Sequence, residues 1–427
     1  MNNNKGFTLL ELIVTMALVI AVVIITGTAF EKIIKNTSQI VSSEESNIEG
    51  VVGLEMLRHD LQQIGFGLPN AYAVAPRYAE TASAPASLLN DGHGTSAAGG
   101  VPRAVVSLEN VTDTAYTTGN TYNIISGTDY LAIKASTVGR SQASKKWTFM
   151  TYTSVTTNKV PNQWSSQADN FSASNSAIVV NRTYAADTGL VTNNLVYNTS
   201  TPLTYWTTNP TVPLTDDSFY PAAASQMYYL YGIDDGNLRM PFNRADYFVA
   251  RPSSTSAIPA TCALGTGILY KAVVNHADGT MTYFPLLDCV ADMQLVFGWD
   301  VKNSGVIDES NAYNTDVSKI SVTSTIGTTA AQIKTIMEDS ESIRTKLKYV
   351  KLYIMVQEGR KKPDYTNTNN LINNTLAVVV GDVGPNPPSN AALTRGYSAA
   401  NLTTLGWLNY RWKIYRIVVR PKNLSSK

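Results

Sequence analysis

Lys5-Gly6-Phe7-Thr8-Leu9-Leu10-Glu11-Leu12-Ile13-Val14 opens a run dominated by Leu, Ile, Val, Ala and Met that continues to Phe30 and holds no charge between Glu11 and Glu31. Residues 7–30 give roughly 24 positions, enough for a helix to cross a hydrocarbon core about 30 Å thick. The leader Met1 to Gly6 is short and polar, and no small-x-small site cleanly closes the apolar run, which favours a retained anchor. Small residues around Gly27 and Ala29 keep a cleaved secretory signal open as the other reading. Glu11 argues for retention too. A carboxylate in a spanning helix costs on the order of 2.5–3.5 kcal/mol at mid-membrane depth and less near an interface, so it is expected to have a partner.

These residues carry a resemblance. Gly6-Phe7-Thr8-Leu9-Leu10-Glu11-Leu12-Ile13-Val14 resembles the class III leader and helix start of type IV pilins and type II secretion pseudopilins. The resemblance implies cleavage between Gly6 and Phe7 by prepilin peptidase, N-methylation of Phe7, and use of the apolar segment first as inner-membrane anchor and then as filament core. It also implies that Glu11 pairs with the Phe7 amine of a neighbouring subunit, and breaking such a buried pair would leave an uncompensated charge. Many major pilins have a proline near Thr28; here Gly27-Thr28 stands instead, so no proline kink is expected.

The helical pattern continues past the membrane segment. Ile33, Ile34, Ile40, Val41, Ile48, Val51, Val52, Leu57, Leu61 and Ile64 recur as an apolar stripe among Glu44, Glu45, Glu49, Glu55 and Arg58. Some 60 residues of helix would extend about 90 Å, and the second half must pack its stripe on a globular domain. Gly65-Phe66-Gly67-Leu68-Pro69 supplies the stop, glycine for the C-terminal cap and proline against continuation. Leu54 to Phe66 resembles the matching segment of PilW-like minor pilins and the related J-type pseudopilins.

The remaining stretch of roughly 360 residues is rich in Thr, Ser, Asn and Tyr, long enough for one oversized domain or two subdomains. A formal net charge of +1 gives nucleic-acid binding no support. Ala71 to about Ser126 reads as an irregular connector, with turn signals at Asp91-Gly92 and Gly99-Gly100. Strand-like runs follow at 130–135, 147–155, 177–184, 190–197, 226–233, 247–251, 268–275, 281–287, 293–299, 348–357, 376–381 and 410–419. No fixed repeat is evident, which excludes a solenoid or propeller reading. Leu287 to Asp300, Leu347 to Val356 and Trp412 to Pro421 resemble, more loosely than the leader, the main-sheet and terminal strands of PilW-like proteins.

Cys262 and Cys289 are the only cysteines. Outside the cytoplasm they would pair as a disulfide; two unpaired buried thiols are the alternative. Asp300 to Glu309 offers hard oxygens around a glycine turn, and Asp300 and Asp308 are weak calcium candidates. Lys302 occupies an expected ligand position and the closing glutamate is missing at the usual spacing, so a solvated turn is the simpler reading. Asp216, Asp217, Asp234 and Asp235 read as similar solvated loop pairs. His59, His93 and His276 are scattered, with no nucleophile elbow, phosphate loop or zinc spacing, so no catalytic residue and no enzymatic activity is expected. Tyr228, Tyr229 and Tyr231 read first as ordinary sheet packing, with aromatic stacking for electron transfer or for glycan binding as the other reading.

The expected fold is α+β. It comprises a leader over 1–6, a transmembrane and filament-core helix over 7–30, an amphipathic continuation over 31–66, and a large antiparallel β-rich domain over 67–427 that can hold two subdomains. The resemblance implies a minor pilin that initiates or caps a type IV pilus, with other minor pilins, the major pilin and prepilin peptidase as partners. Its N-terminus would be cytoplasmic, its domain periplasmic and then on the pilus surface. A minor pseudopilin of a type II secretion system and a pilus-tip adhesin are the other readings.

Overall fold

One α-helix, Leu9–Gln62, carries the apolar segment without interruption into the globular part. The computed structural model describes residues 9–92, 99–153, 159–184, 191–198, 206–211, 214, 216–234, 238–254, 257–367, 376–382 and 393–424; the side chains of 29, 31–49 and 376 lie outside that description. The helix passes straight through Gly27-Thr28, since a lone glycine weakens helix propensity without removing a backbone donor. It ends where Gly65 (φ 76°) and Gly67 (φ 68°) adopt the left-handed conformation that turns the chain back.

Among the described residues, ten strands build an antiparallel main sheet. Its central path runs Met281–Trp299, Gly267–Val274, Asn243–Pro252, Thr128–Ala135, Val105–Val111. Leu347–Glu358 pairs with the second half of Met281–Trp299, and Arg411–Val419 pairs with Leu347–Glu358. A second sheet of six strands is ordered Ala71–Tyr72, Val191–Leu195, Ser176–Tyr184, Met227–Ile233, Trp147–Thr151, with Trp206–Thr208 also on Ser176–Tyr184. One core joins the two sheets to the helix: Leu57, Leu61 and Ile64 pack with Leu131, Ile133 and Leu295 of the main sheet and Ile178, Val180 and Tyr231 of the second. The α+β expectation is met.

Three sequence expectations need correction. The runs 281–287 and 293–299 are one strand of 19 residues, which changes partner near Val290 across register shifts that accommodate Pro285 and Cys289. Within the apolar stripe, Val51 and Val52 are exposed while Leu54, Leu57, Leu61 and Ile64 are buried, because Gly50 and Gly53 are the residues that face Leu287 and Leu286 of the sheet there and the two valines lie on the other side of the helix. Residues 71–126 are more than a connector. Val105–Val111 is a main-sheet strand, and the segment before it is held by a buried ion network. The ammonium of Lys134 bonds Glu80 at 2.9 Å and Asp91 at 2.5 Å, while Arg244 bonds Glu80 at 2.7 Å and Asp246 at 2.7 Å. Lys134, Arg244, Glu80 and Asp246 are all buried. Arg103 meets Asp91 at 2.7 Å, so three cations face three carboxylates, and their desolvation is offset only while the set is complete.

Candidate functional site

The N-terminal segment is the first part of the site. Leu9 to Thr28 makes 20 helical residues, about 30 Å by the helical rise. None of this segment is buried; Leu9, Val19 and Ile25 are all more than half exposed. Such a surface requires lipid or other apolar helices as its cover. Its hydroxyls are already satisfied within the helix: Thr15 donates to the Glu11 carbonyl at 2.9 Å and Thr26 to that of Val22 at 2.7 Å, as an apolar medium demands. Glu11 lies in the first turn, where the helix dipole favours a negative charge. Gly6 and Phe7 lie outside the described residues.

The second part is the seat of the helix on the domain. Gly53 lets it approach the main sheet so closely that a Cβ there would lie 2.1 Å from the Leu286 carbonyl oxygen. Two turns on, Asp60 is buried and accepts hydrogen bonds from the hydroxyl of Tyr247 and the ammonium of Lys271, with His59 Nδ1 at 3.3 Å. Burial opposes the Asp60 charge, but His59, Lys271 and Tyr247 together outweigh it and hold the carboxyl below its ordinary range. The hydrogen bond to Asp60 raises His59 in turn. Asp60 escaped the sequence reading, although it stands three residues after Leu57 and four before Ile64, inside the apolar stripe. An acid on a buried helical face is the signal that marked it.

Cys262 and Cys289 form a disulfide with Cα atoms 5.0 Å apart. Cys289 has φ 53° and sits where the long strand changes partner, so the bridge fastens the irregular point of that strand to the loop before Gly267–Val274.

Nearby, three carboxyl groups gather in the main sheet. Asp129 accepts from the Asn110 amide at 2.8 Å and the Leu295 amide at 2.7 Å, taking the place of a ladder carbonyl. Glu109 accepts from the Ala312 amide at 3.1 Å, and Asp292 from the Tyr397 hydroxyl at 2.9 Å. Burial pushes Glu109 up to about 7. Burial and then the Glu109 charge raise Asp129 well above the carboxylate range, and burial raises Asp292.

Asp300 and Asp308 have local duties. Asp300 accepts from the amides of Ser304 at 2.8 Å and Gly305 at 3.1 Å; Asp308 is buried, with the Thr328 hydroxyl at 2.6 Å. Among the described residues no group of three or more His, Cys, Asp or Glu is placed to hold a metal ion. Asp234 is buried rather than solvated, because it binds the amides of Arg140 and Ser141, whereas Asp216 caps a short helical turn. Asp235 and His93 lie outside the described residues. His276 is buried against Asn243, and burial pushes it down to about 4.

Residues 1–27 match the family described as the prokaryotic N-terminal methylation motif. Together with the apolar helix, this match supports a type IV pilin-like or pseudopilin-like precursor and fits a prepilin peptidase substrate with a membrane-anchoring segment. No curated protein and no solved structure matches the chain.

Proposed function

We propose that this chain is a PilW-like minor pilin that helps to initiate or cap a type IV pilus. The observation that carries the reading is continuity: the methylation motif opens a helix that runs unbroken from its exposed apolar half into a large β-rich domain. Cleavage after Gly6 frees the Phe7 amine for methylation, and Glu11 offers that amine on a neighbouring subunit a carboxylate within the apolar bundle. Outside a filament that carboxylate is costly in lipid, so assembly is favoured at this end. The role is structural and not enzymatic. The domain lies in the periplasm before assembly and on the pilus afterwards, beside the major pilin and other minor pilins.

The test is Glu11→Ala in the host. The variant should be inserted and cleaved, leaving an N-methylated Phe7 by mass spectrometry, yet be absent from sheared filaments. Incorporation at the wild-type level would overturn the docking role. Co-purification of the native chain with secretion components instead of pilus subunits would replace the pilus assignment with the pseudopilin one.

A further inference from the structure

Where the long helix ends, a cavity of about 500 Å³ opens between the helix-ending turn and the second sheet. That volume is within the range of roughly 300–1,000 Å³ typical of small-ligand sites. We propose that it binds an acidic saccharide, a ring-shaped polyol carrying a carboxylate.

Strand register builds the wall. Trp147 pairs with Tyr231, Phe149 with Tyr229, Tyr229 with Val180, and Arg182 with Asn193, so alternation turns Trp147, Tyr229, Tyr231, Arg182 and Asn193 to one face. Tyr228, on the opposite face, joins a separate apolar cluster with Phe171 and Leu230. The tyrosine run therefore divides its duties. Trp147 is 37% exposed and stacks beside Tyr229, with ring centroids 6.4 Å apart, which presents an aromatic platform of the kind that receives the apolar face of a sugar ring.

The charge of the wall is one-sided. Arg182 lies over the Tyr229 ring at 4.6 Å, and its hydrogen bonds go to neutral groups, Asn193 Oδ1 at 3.0 Å and the Tyr231 hydroxyl at 3.2 Å. A guanidinium oriented by neutral partners keeps its charge for an incoming anion, and a carboxylate suits its fork. Arg344 also lines the cavity but is already met by Glu341 at 2.6 Å, which leaves Arg182 and the exposed Lys422 as its cations. Among the described residues that line the cavity, none is Asp or Glu, and the Asn70, Asn193 and Asn423 side chains are already engaged within the chain, with the Val191 carbonyl at 3.3 Å, the Arg182 guanidinium at 3.0 Å and the Gln63 carboxamide at 3.4 Å. A dry apolar ligand would cover the Arg182 charge without a counter-ion, and a bare anion would leave the platform unused.

The site lies on the domain placed outside the cytoplasm by the proposed function, and rests on that placement alone. The test is calorimetric titration of the full chain in detergent micelles with a hexuronic-acid trisaccharide, a neutral hexose trisaccharide and inorganic phosphate. Binding of the acidic trisaccharide at millimolar or lower concentration, weakened by salt, is the expected result. Trp147→Ala and Arg182→Gln, each checked for an unchanged circular dichroism spectrum, should each weaken it at least tenfold. Equal binding of the neutral trisaccharide, equal binding of phosphate, or full retention by both variants would overturn the proposal. So would absence of binding by the wild-type chain. None of these outcomes touches the assembly role, which is read from Glu11 and from processing at Gly6-Phe7.

Discussion

Asp60 of the long helix and Lys271 of the main sheet form an ion pair that is closed off from solvent, with Tyr247 bonding the same carboxylate oxygen. This is the polar clasp between the N-terminal helix and the domain it carries. Around it Leu57, Leu61 and Ile64 provide the apolar part of the contact.

Removing the carboxylate leaves Lys271 buried without its partner, so Asp60→Ala should destabilise the domain by about 3–5 kcal/mol. Urea denaturation followed by circular dichroism in micelles measures this. Asp60→Ala with Lys271→Met should recover part of the loss; a double variant no better than the single one would show that the pair does not act as a unit.

Gly53 tests the closeness of the helix. With the Leu286 carbonyl 2.1 Å from an added Cβ, and that atom belonging to backbone, Gly53→Ala must move the helix or the strand. A loss of about 1–3 kcal/mol is expected, despite the better helix propensity of alanine. Unchanged or raised thermal stability would contradict the packing.

The disulfide closes a separation of 27 residues. Cys262→Ala with Cys289→Ala should cost roughly 3–4 kcal/mol in the chain-entropy description. Thermal denaturation with and without reductant should show the wild type falling to the level of the double variant, which itself should not respond to reductant.

Glu109 gives the stability a pH dependence of definite sign. Its carboxyl is raised from 4.5 to about 7, so the folded state keeps a proton that the unfolded chain has released. Stability from this group is present below about pH 4.5 and is lost as pH rises through 7; the change from pH 5 to 8 amounts to roughly 2–3 kcal/mol. Asp129 and Asp292 act in the same direction. Asp60 acts oppositely, since its lowered carboxyl contributes above its unfolded value and loses that contribution in acid. In denaturation midpoints measured over pH 5 to 8, Glu109→Gln should flatten the fall seen for the wild type.

Much of the architecture was legible because local pattern and tertiary environment agree. The Leu9–Gln62 helix was readable from its apolar content and its glycine stop, and most strands from β-branched and aromatic runs. Val105–Val111 was lost in a stretch rich in Ala, Gly, Ser and Pro, since its pairing partner Thr128–Ala135 was needed to define it. Residues 71–260 do not form a separable insertion. They in fact contribute Val105–Val111, Thr128–Ala135 and Asn243–Pro252 to the main sheet, so their deletion would unfold the domain rather than isolate a function.

The amino-acid sequence alone determined the anchor, the processing motif, the position of Glu11 and the point where the helix stops, because each rests on residues adjacent in the chain. The tertiary structure alone decided which charges are buried and paired. Lys134, Arg244, Glu80 and Asp246 look like ordinary solvated residues in sequence, and Asp60 like one more polar position on a helix. Their partners lie up to 211 residues away, and the energy of a charge depends on the groups and solvent around it in space, which a linear order does not contain.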